Sequence, residues 1–288
     1  MRTKKNYKKG SVLLLIIICL YNLVSAQEPI KLLMRADDMG KTYGRTLGII
    51  KAHKEGIITS ASLMPTSAYF EESVKLCKEN PTLSVGIHLT IADVTQRPVL
   101  SPELVPSLVT PNGFFYENAA QLKEANPKID EIEKEIRAQI GKVRATGLKF
   151  VYLDWHRSVI PEVQELIMKI CKDEKLIYGQ TIDNMVYGHK WISFVSESWP
   201  KQVLPDGQTV YYAAPGFEKD KQDLFFNSLN NLTPGKYIVA VHPGVYEPQR
   251  ASMTTLLCSP RTKEIIKNKN IQLISYNDLW KEEYGASK

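Results

Sequence analysis

The sequence is short of cysteine. Of four among 288 residues, Cys19 lies in an apolar N-terminal run, and Cys77, Cys171 and Cys258 are odd in number and widely spaced. A disulfide scaffold is therefore excluded, with room for one pair at most. A hydrophobic run long enough to cross a bilayer is also missing: the best, Val12 to Leu20, is well under the roughly 20 residues a span needs. The chain has no internal repeat, no low-complexity tract and no linker that would divide it. Beyond the first residues it has no basic helix and no aromatic-basic stripe, which speaks against nucleic acid as a partner.

What is present begins with a targeting segment. Arg2, Lys4, Lys5, Lys8 and Lys9 precede the apolar run, and Val24-Ser25-Ala26 offers small residues before Gln27. This is the layout of a secretory signal peptide over residues 1–26, with an uncleaved anchor as the alternative. Export to the periplasm, cell surface or medium is expected, with no stable membrane insertion after cleavage. The segment carries five of the six net positive charges, so the remainder is close to neutral at +1 and the high pI belongs to the targeting peptide. Residues 27–288 suit a single large α/β domain.

That domain alternates strand and helix. Strands are expected at Lys31 to Ala36, Ser60 to Pro65, Leu83 to Leu89, Phe150 to Leu153, Tyr237 to Val241 and Ile271 to Ser275. Helices are expected at Thr42 to Glu55, Tyr69 to Glu79, from Pro161 onward and around Thr262 to Lys267. Ile129, Ile132, Ile136, Ile140 and Val143 recur at three- and four-residue steps and mark one more. The stretch 180–215 reads as holding one further strand at most. Such alternation argues for a parallel sheet, open or closed into a barrel.

Polar residues gather where the strands end: Asp37-Asp38, Gly86-Ile87-His88, Asp154-Trp155-His156 and His242-Pro243-Gly244. Each alone has an ordinary reading as a turn, a helix cap or a satisfied interior histidine. In a parallel α/β domain, however, all strand carboxyl ends share one rim, where active sites form. The remaining histidines, His53 and His189, read as structural or surface residues.

One carboxylate with two imidazoles suits a divalent cation and leaves positions open for water and substrate. The pair Asp37-Asp38 supplies both a ligand and a general base, since neighbours leaving a strand can point in different directions. His242, on the same rim, is placed to protonate a leaving amine or stabilise an oxyanion. These parts suit metal-assisted hydrolysis of an amide or ester. Another reading fits the same residues: a non-haem iron oxygenase, which also uses two histidines and a carboxylate. The separate strands and the extra Asp37 and His242 favour hydrolysis.

The ordered set Ala36-Asp37-Asp38-Met39-Gly40, Gly56 to Ser60, Gly86 to His88, Asp154 to His156, His242-Pro243 and Ile271 to Tyr276 resembles the YdjC-like carbohydrate deacetylases, a family that includes chitooligosaccharide deacetylases. The similarity runs from about Leu32 to Trp280. It implies a distorted (β/α) barrel, like a TIM barrel, and removal of an N-acetyl group from an amino sugar or oligosaccharide. It further implies one divalent metal ion, Mg or Zn first and Mn or Co next, held by Asp38, His88 and His156. Asp37 would be the base and His242 an acid or oxyanion residue, in a chain expected to form a homodimer. The chain departs from the family where relatives often carry a further histidine: that position is Ser158, which, with export, motivates the alternative of a noncatalytic glycan-binding protein on the same scaffold. Arg261 and Glu264 keep a trace of the family's Arg-x-x-Glu. The Pro-rich segment from Ile91 to Asn126 is expected to cover the site, and Trp191, Trp199, Tyr211 and Tyr212 are candidates for a sugar platform.

Overall fold

The computed structural model describes residues 28–157, 159–194, 201–203, 209–211 and 218–285. The targeting segment, Ser158, Trp199 and Tyr212 lie outside the described residues. Among those described, no helix is long and apolar enough to cross a membrane.

Strand β1 (Ile30–Met39) is the centre of the sheet. One edge of it pairs in parallel with β10 (Gly235–Val241), from Ile30 opposite Gly235 to Ala36 opposite Val241. Its other edge pairs first with β11 (Gln272–Ile274) and then with β2 (Ser60–Leu63). The sheet continues through β3 (Ser84–Leu89) and β4 (Tyr152–Trp155) to β5 (Ile177–Tyr178). On the far side, β10 is followed by β7 (His189–Trp191) and the antiparallel β6 (Met185–Val186). The result is a nearly closed, mostly parallel barrel, distorted by its short strands. A separate antiparallel pair is formed by β8 (Lys201–Val203) and β9 (Thr209–Tyr211).

Because β1 is covered on both faces, its residues sort by alternation. Leu32, Met34 and Ala36 join the large core beneath the helices. Leu33 joins a second cluster with Tyr152, Ile177, Val186, Ile238 and Tyr276. Arg35 and Asp37 follow Leu33 on that second face, and Tyr152 and Asp154 follow the same rule on β4. Charge is therefore stacked directly on the small interior core.

The helices are α1 (Tyr43–Glu55), α2 (Phe70–Glu79), α3 (Ala119–Glu124), α4 (Ile129–Ala145) and α5 (Pro161–Glu174). They continue with α6 (Glu218–Asn230), α7 (Pro248–Cys258), α8 (Pro260–Asn268) and α9 (Tyr276–Tyr284). Thr42 caps α1 by accepting from the Arg45 backbone N–H, and Ser275 with Asp278 forms a capping box on α9.

The structure corrects several expectations. The fourth strand lies two residues later than its apolar run suggests, since pairing of Leu153 to Trp155 with Ile87 to Leu89 carries it through Asp154. The stretch 180–215 holds four short described strands rather than one, each too brief to show alternation. Helix α3, inside the segment expected to be irregular, and helices α6, α7 and α9 have no counterpart among the expected elements; α6 and α7 show little contrast between faces. Cys77, Cys171 and Cys258 are all free.

Candidate active site

The site begins with an irregularity in β1. Regular strand neighbours face opposite sides, which would separate Asp37 from Asp38. Between Ala36 and Met39 the register with β2 shifts, and Asp38 takes a left-handed backbone with φ 66°. A break of this kind re-aims a side chain. Both carboxylates are consequently buried at the same rim, Asp37 at 6% and Asp38 at 0% exposure.

Asp38 faces two histidines. Its Oδ1 lies 3.0 Å from His156 Nδ1 and 3.4 Å from His88 Nε2. His88 comes from β3 and His156 directly follows β4, whose end is tied to β3 by the His156 N–H donating to Leu89 O. The two rings meet edge to face at 5.4 Å. The sequence expectation that Asp38, His88 and His156 converge matches this geometry: one ligand atom from each lies within 4.8 Å of the others.

The remaining ring nitrogens are also held. His88 Nδ1 is 2.9 Å from Asp154 Oδ1, and His156 Nε2 is 3.0 Å from Asp93 Oδ2. Carboxylates on the far side of imidazole ligands fix tautomer and orientation in metal sites. The donor chemistry thus fits a divalent cation: one carboxylate oxygen and two imidazole nitrogens face a common point, each imidazole backed by an acid. Burial alone would depress the His88 pKa, but Asp154, Asp38 and Asp37 outweigh it and raise it to about 10. Burial alone would raise the Asp38 carboxyl, yet His156 and His88 hold it well below the usual range.

Asp37 belongs to a different network. Arg35 donates to both of its oxygens, at 2.6 and 2.9 Å, and Arg35 Nη1 lies 3.0 Å from Asp154 Oδ2. The same guanidinium reaches Gly179 O at 2.6 Å and Tyr276 Oη at 3.2 Å. Burial pushes the Asp37 carboxyl up, and Arg35 with His88 more than offsets this, leaving it below the ordinary value. Asp37 is therefore ionised at rest.

His242 follows β10 and lies exposed at the rim, although protein crowds it. Crowding and the nearby Arg250 and Arg45 push its pKa down, against the pull of Asp38 and Asp37. The direction leaves a neutral imidazole near pH 7. Its loop is set by close packing: a Cβ on Gly48 of α1 would lie 2.4 Å from Gly244 Cα.

Several site residues carried no role in the sequence reading. Arg35 had a visible signal, a charge inside an apolar strand, which must find partners when buried. Asp154 was noted only as part of Asp-x-His. Asp93 had no signal, since it lies in the irregular segment expected to cover the site. That segment does lie against it: Asp93 binds Lys41 Nζ at 2.8 Å, and Gln96 and Phe114 line a cleft of about 410 Å³ with Lys41 and Arg45. Arg45 Nη1 binds Asp38 Oδ2 at 3.0 Å and its guanidinium also binds Glu247. Arg261, by contrast, sits over the Phe226 ring at 4.2 Å and packs helices together. Trp191 stacks near Arg35, 5.3 Å from its Cζ, as part of the interior cluster.

The fold and site define a distorted (β/α) barrel with a carboxylate–imidazole centre at the carboxyl ends of its strands. Residues 31–268 match the family model described as YdjC-like protein, and the chain belongs to that family. A relative from Brevibacillus brevis named carbohydrate deacetylase is 32% identical over 256 residues, covering 86% of this chain and 99% of its own. Another of that name from Enterococcus faecalis is 37% identical over 138 residues, 48% of this chain and 52% of the relative. A crystal structure of an Enterococcus faecalis V583 protein superposes with a TM-score of 0.70 at 24% identity, covering 87% and 99% of the two chains, which shows the shared fold.

Proposed function

We propose that the protein is a metal-dependent carbohydrate deacetylase that hydrolyses the N-acetyl group of an amino sugar or oligosaccharide. The observation that carries this reading is the convergence of Asp38, His88 and His156 beside a separately held carboxylate, Asp37, and a rim imidazole, His242. Family membership and relatives named carbohydrate deacetylase support it.

Asp38, His88 and His156 would hold the ion, with Asp154 and Asp93 fixing the rings. The two imidazoles favour zinc over magnesium in this donor set, with manganese and cobalt as further candidates. When bound, such an ion supplies Lewis acidity toward the acetyl carbonyl and an acidic water near neutral pH. The chain's own groups do the rest. Asp37, ionised at rest, accepts the proton from the attacking water. Its lowered pKa makes it a modest base but a strong acid once protonated, so it returns that proton to the leaving amine as the C–N bond breaks. His242, neutral and at the rim, donates an N–H to the developing oxyanion. The products are acetate and the free amino sugar. Export through the N-terminal segment and a homodimeric state complete the reading, which makes the substrate an external glycan.

The test is acetate release by protein starting at Gln27 from N-acetylglucosamine oligomers and acetylated glycans, after metal removal and after zinc, magnesium, manganese or cobalt is added. Metal-dependent acetate that is lost in Asp38→Ala and His156→Ala is expected. Sugar affinity without acetate, in folded and metal-loaded protein, would replace this reading with a glycan-binding one.

A further inference from the structure

Two sets of potential ligands overlap at this rim and share His88. The first is Asp38, His88 and His156; the second is Asp37, His88 and Asp154, whose ligand atoms also lie within 4.8 Å of one another. Both sets are buried and both have chemistry that suits a divalent cation. What separates them is Arg35. Its guanidinium holds both oxygens of Asp37 and lies 3.0 Å from Asp154 Oδ2, so a positive charge already stands between the carboxylates of the second set. Asp38 of the first set meets Arg45 and Arg250 through Oδ2, while its Oδ1 faces the two histidines; on Asp37, by contrast, Arg35 takes both oxygens.

Resting on the deacetylase reading, we infer that Arg35 is a positioning residue that keeps metal out of the second set, reserving Asp37 for proton transfer and Asp154 for His88. The geometry is specific to a guanidinium at this place. Arg35 lies two residues before Asp37 on the same face of β1, one step deeper in the barrel, so its side chain rises beneath the carboxylate. A planar fork matches two carboxylate oxygens at once and still presents Nη1 to a second acid. Gly179 O and Tyr276 Oη accept from Nη1 or lie within reach of it, so the fork cannot swing away. Tyr276 itself is clamped, stacked on Tyr152 at 3.7 Å and donating to Gly179 O. Ser62 donates to Asp154 Oδ2 at 2.7 Å and completes that carboxylate's partners. Without the fixed cation, two acids and a histidine would face one another in a dry pocket, an arrangement that recruits a mobile cation in its place.

The experiment measures bound metal and turnover in the same preparations. Protein from Gln27 onward is stripped, reloaded with zinc, and read by calorimetry and elemental analysis, with acetate release measured alongside. Wild type is expected to take one ion. Arg35→Met, a neutral replacement of similar length, is expected to take a second ion and to lose kcat about 100-fold with KM little changed, because the base is no longer held in place. Arg35→Lys keeps the charge without the fork. It is expected to hold stoichiometry at one while kcat stays lowered, and it serves if Arg35→Met does not fold. Two ions or none in wild type would overturn the inference, as would a folded Arg35→Met that still takes one ion, or an Arg35→Lys with unchanged kcat. If wild type binds one ion yet releases no acetate, the deacetylase reading fails while the stoichiometry of Arg35→Met still decides whether Arg35 guards the second set.

Discussion

Asp154 divides its carboxylate between two tasks: Oδ1 accepts from His88 Nδ1 at 2.9 Å, and Oδ2 faces Arg35 and Ser62. The first contact orients the His88 ring and the second joins that ring to the support of Asp37. Replacing Asp154 with Asn leaves a partner that can hydrogen-bond but brings no charge. Asp154→Asn is expected to weaken metal affinity about 10- to 100-fold, the usual effect of losing such a support. Competition titration with a chelating dye measures it, and unchanged affinity would show that Asp154 serves the fold alone.

Asp93 offers the matching test on the other imidazole. It joins His156 to Lys41 and comes from the segment that follows β3. Asp93→Asn is expected to lower metal affinity and also to expose that segment to protease, because the ion pair that ties the segment to Lys41 is lost. Asp154→Asn should lower affinity without the added cleavage. Limited proteolysis of both variants separates them.

The His242 loop depends on the absence of a side chain at residue 48. A methyl there would meet Gly244 Cα at 2.4 Å, a distance backbone cannot tolerate. Gly48→Ala is expected to cost about 1–3 kcal/mol in a chemical denaturation experiment, as overpacking does. It is also expected to reduce kcat more than KM, since His242 moves with the loop. A variant with normal kcat would remove His242 from the chemistry.

Stability should also report the ion pairs of Glu247. Burial raises this carboxyl, but Arg45 and Arg250 outweigh it and leave the pKa lowered. A lowered folded value contributes stability above the unfolded carboxylate range, near about pH 4.3, and loses it as pH falls through the folded value. The Tm advantage of wild type over Glu247→Gln should therefore be full at neutral pH and shrink below about pH 4. A difference that grows toward acid would reverse the sign of this argument.

Much of the site was legible because its chemistry sits in single residues at strand ends. Asp37, Asp38, His88, His156 and His242 each follow an apolar run, and parallel topology alone brings such ends together. What reads poorly is what depends on register. Arg35 reaches Asp154 only because β1, β2, β3 and β4 are aligned so that Arg35 faces Ser60 and His88 faces Asp154. No local pattern records that alignment. Asp93 acts from an irregular segment with no period at all, and β6 to β9 are too short for alternation to show. Glycines of the motifs turn out to have steric rather than chemical reasons: a Cβ on Gly86 would enter the Tyr152 ring at 2.3 Å.

The place of β1 has a consequence for how the chain acquires its structure. Strand β1 is flanked by β10 and β11, which are made long after it. β2 can pair with β1 early, but the β10 edge waits for partners some 200 residues away, so long-range loop closure precedes a β1 paired on both edges. A nascent chain ending before Gly235 would hold Asp37 and Asp38 on a strand with one bare edge, open to aggregation and to helper proteins that bind extended segments. Competence for catalysis arrives late, once β10 is in place, rather than with the first residues that will perform it.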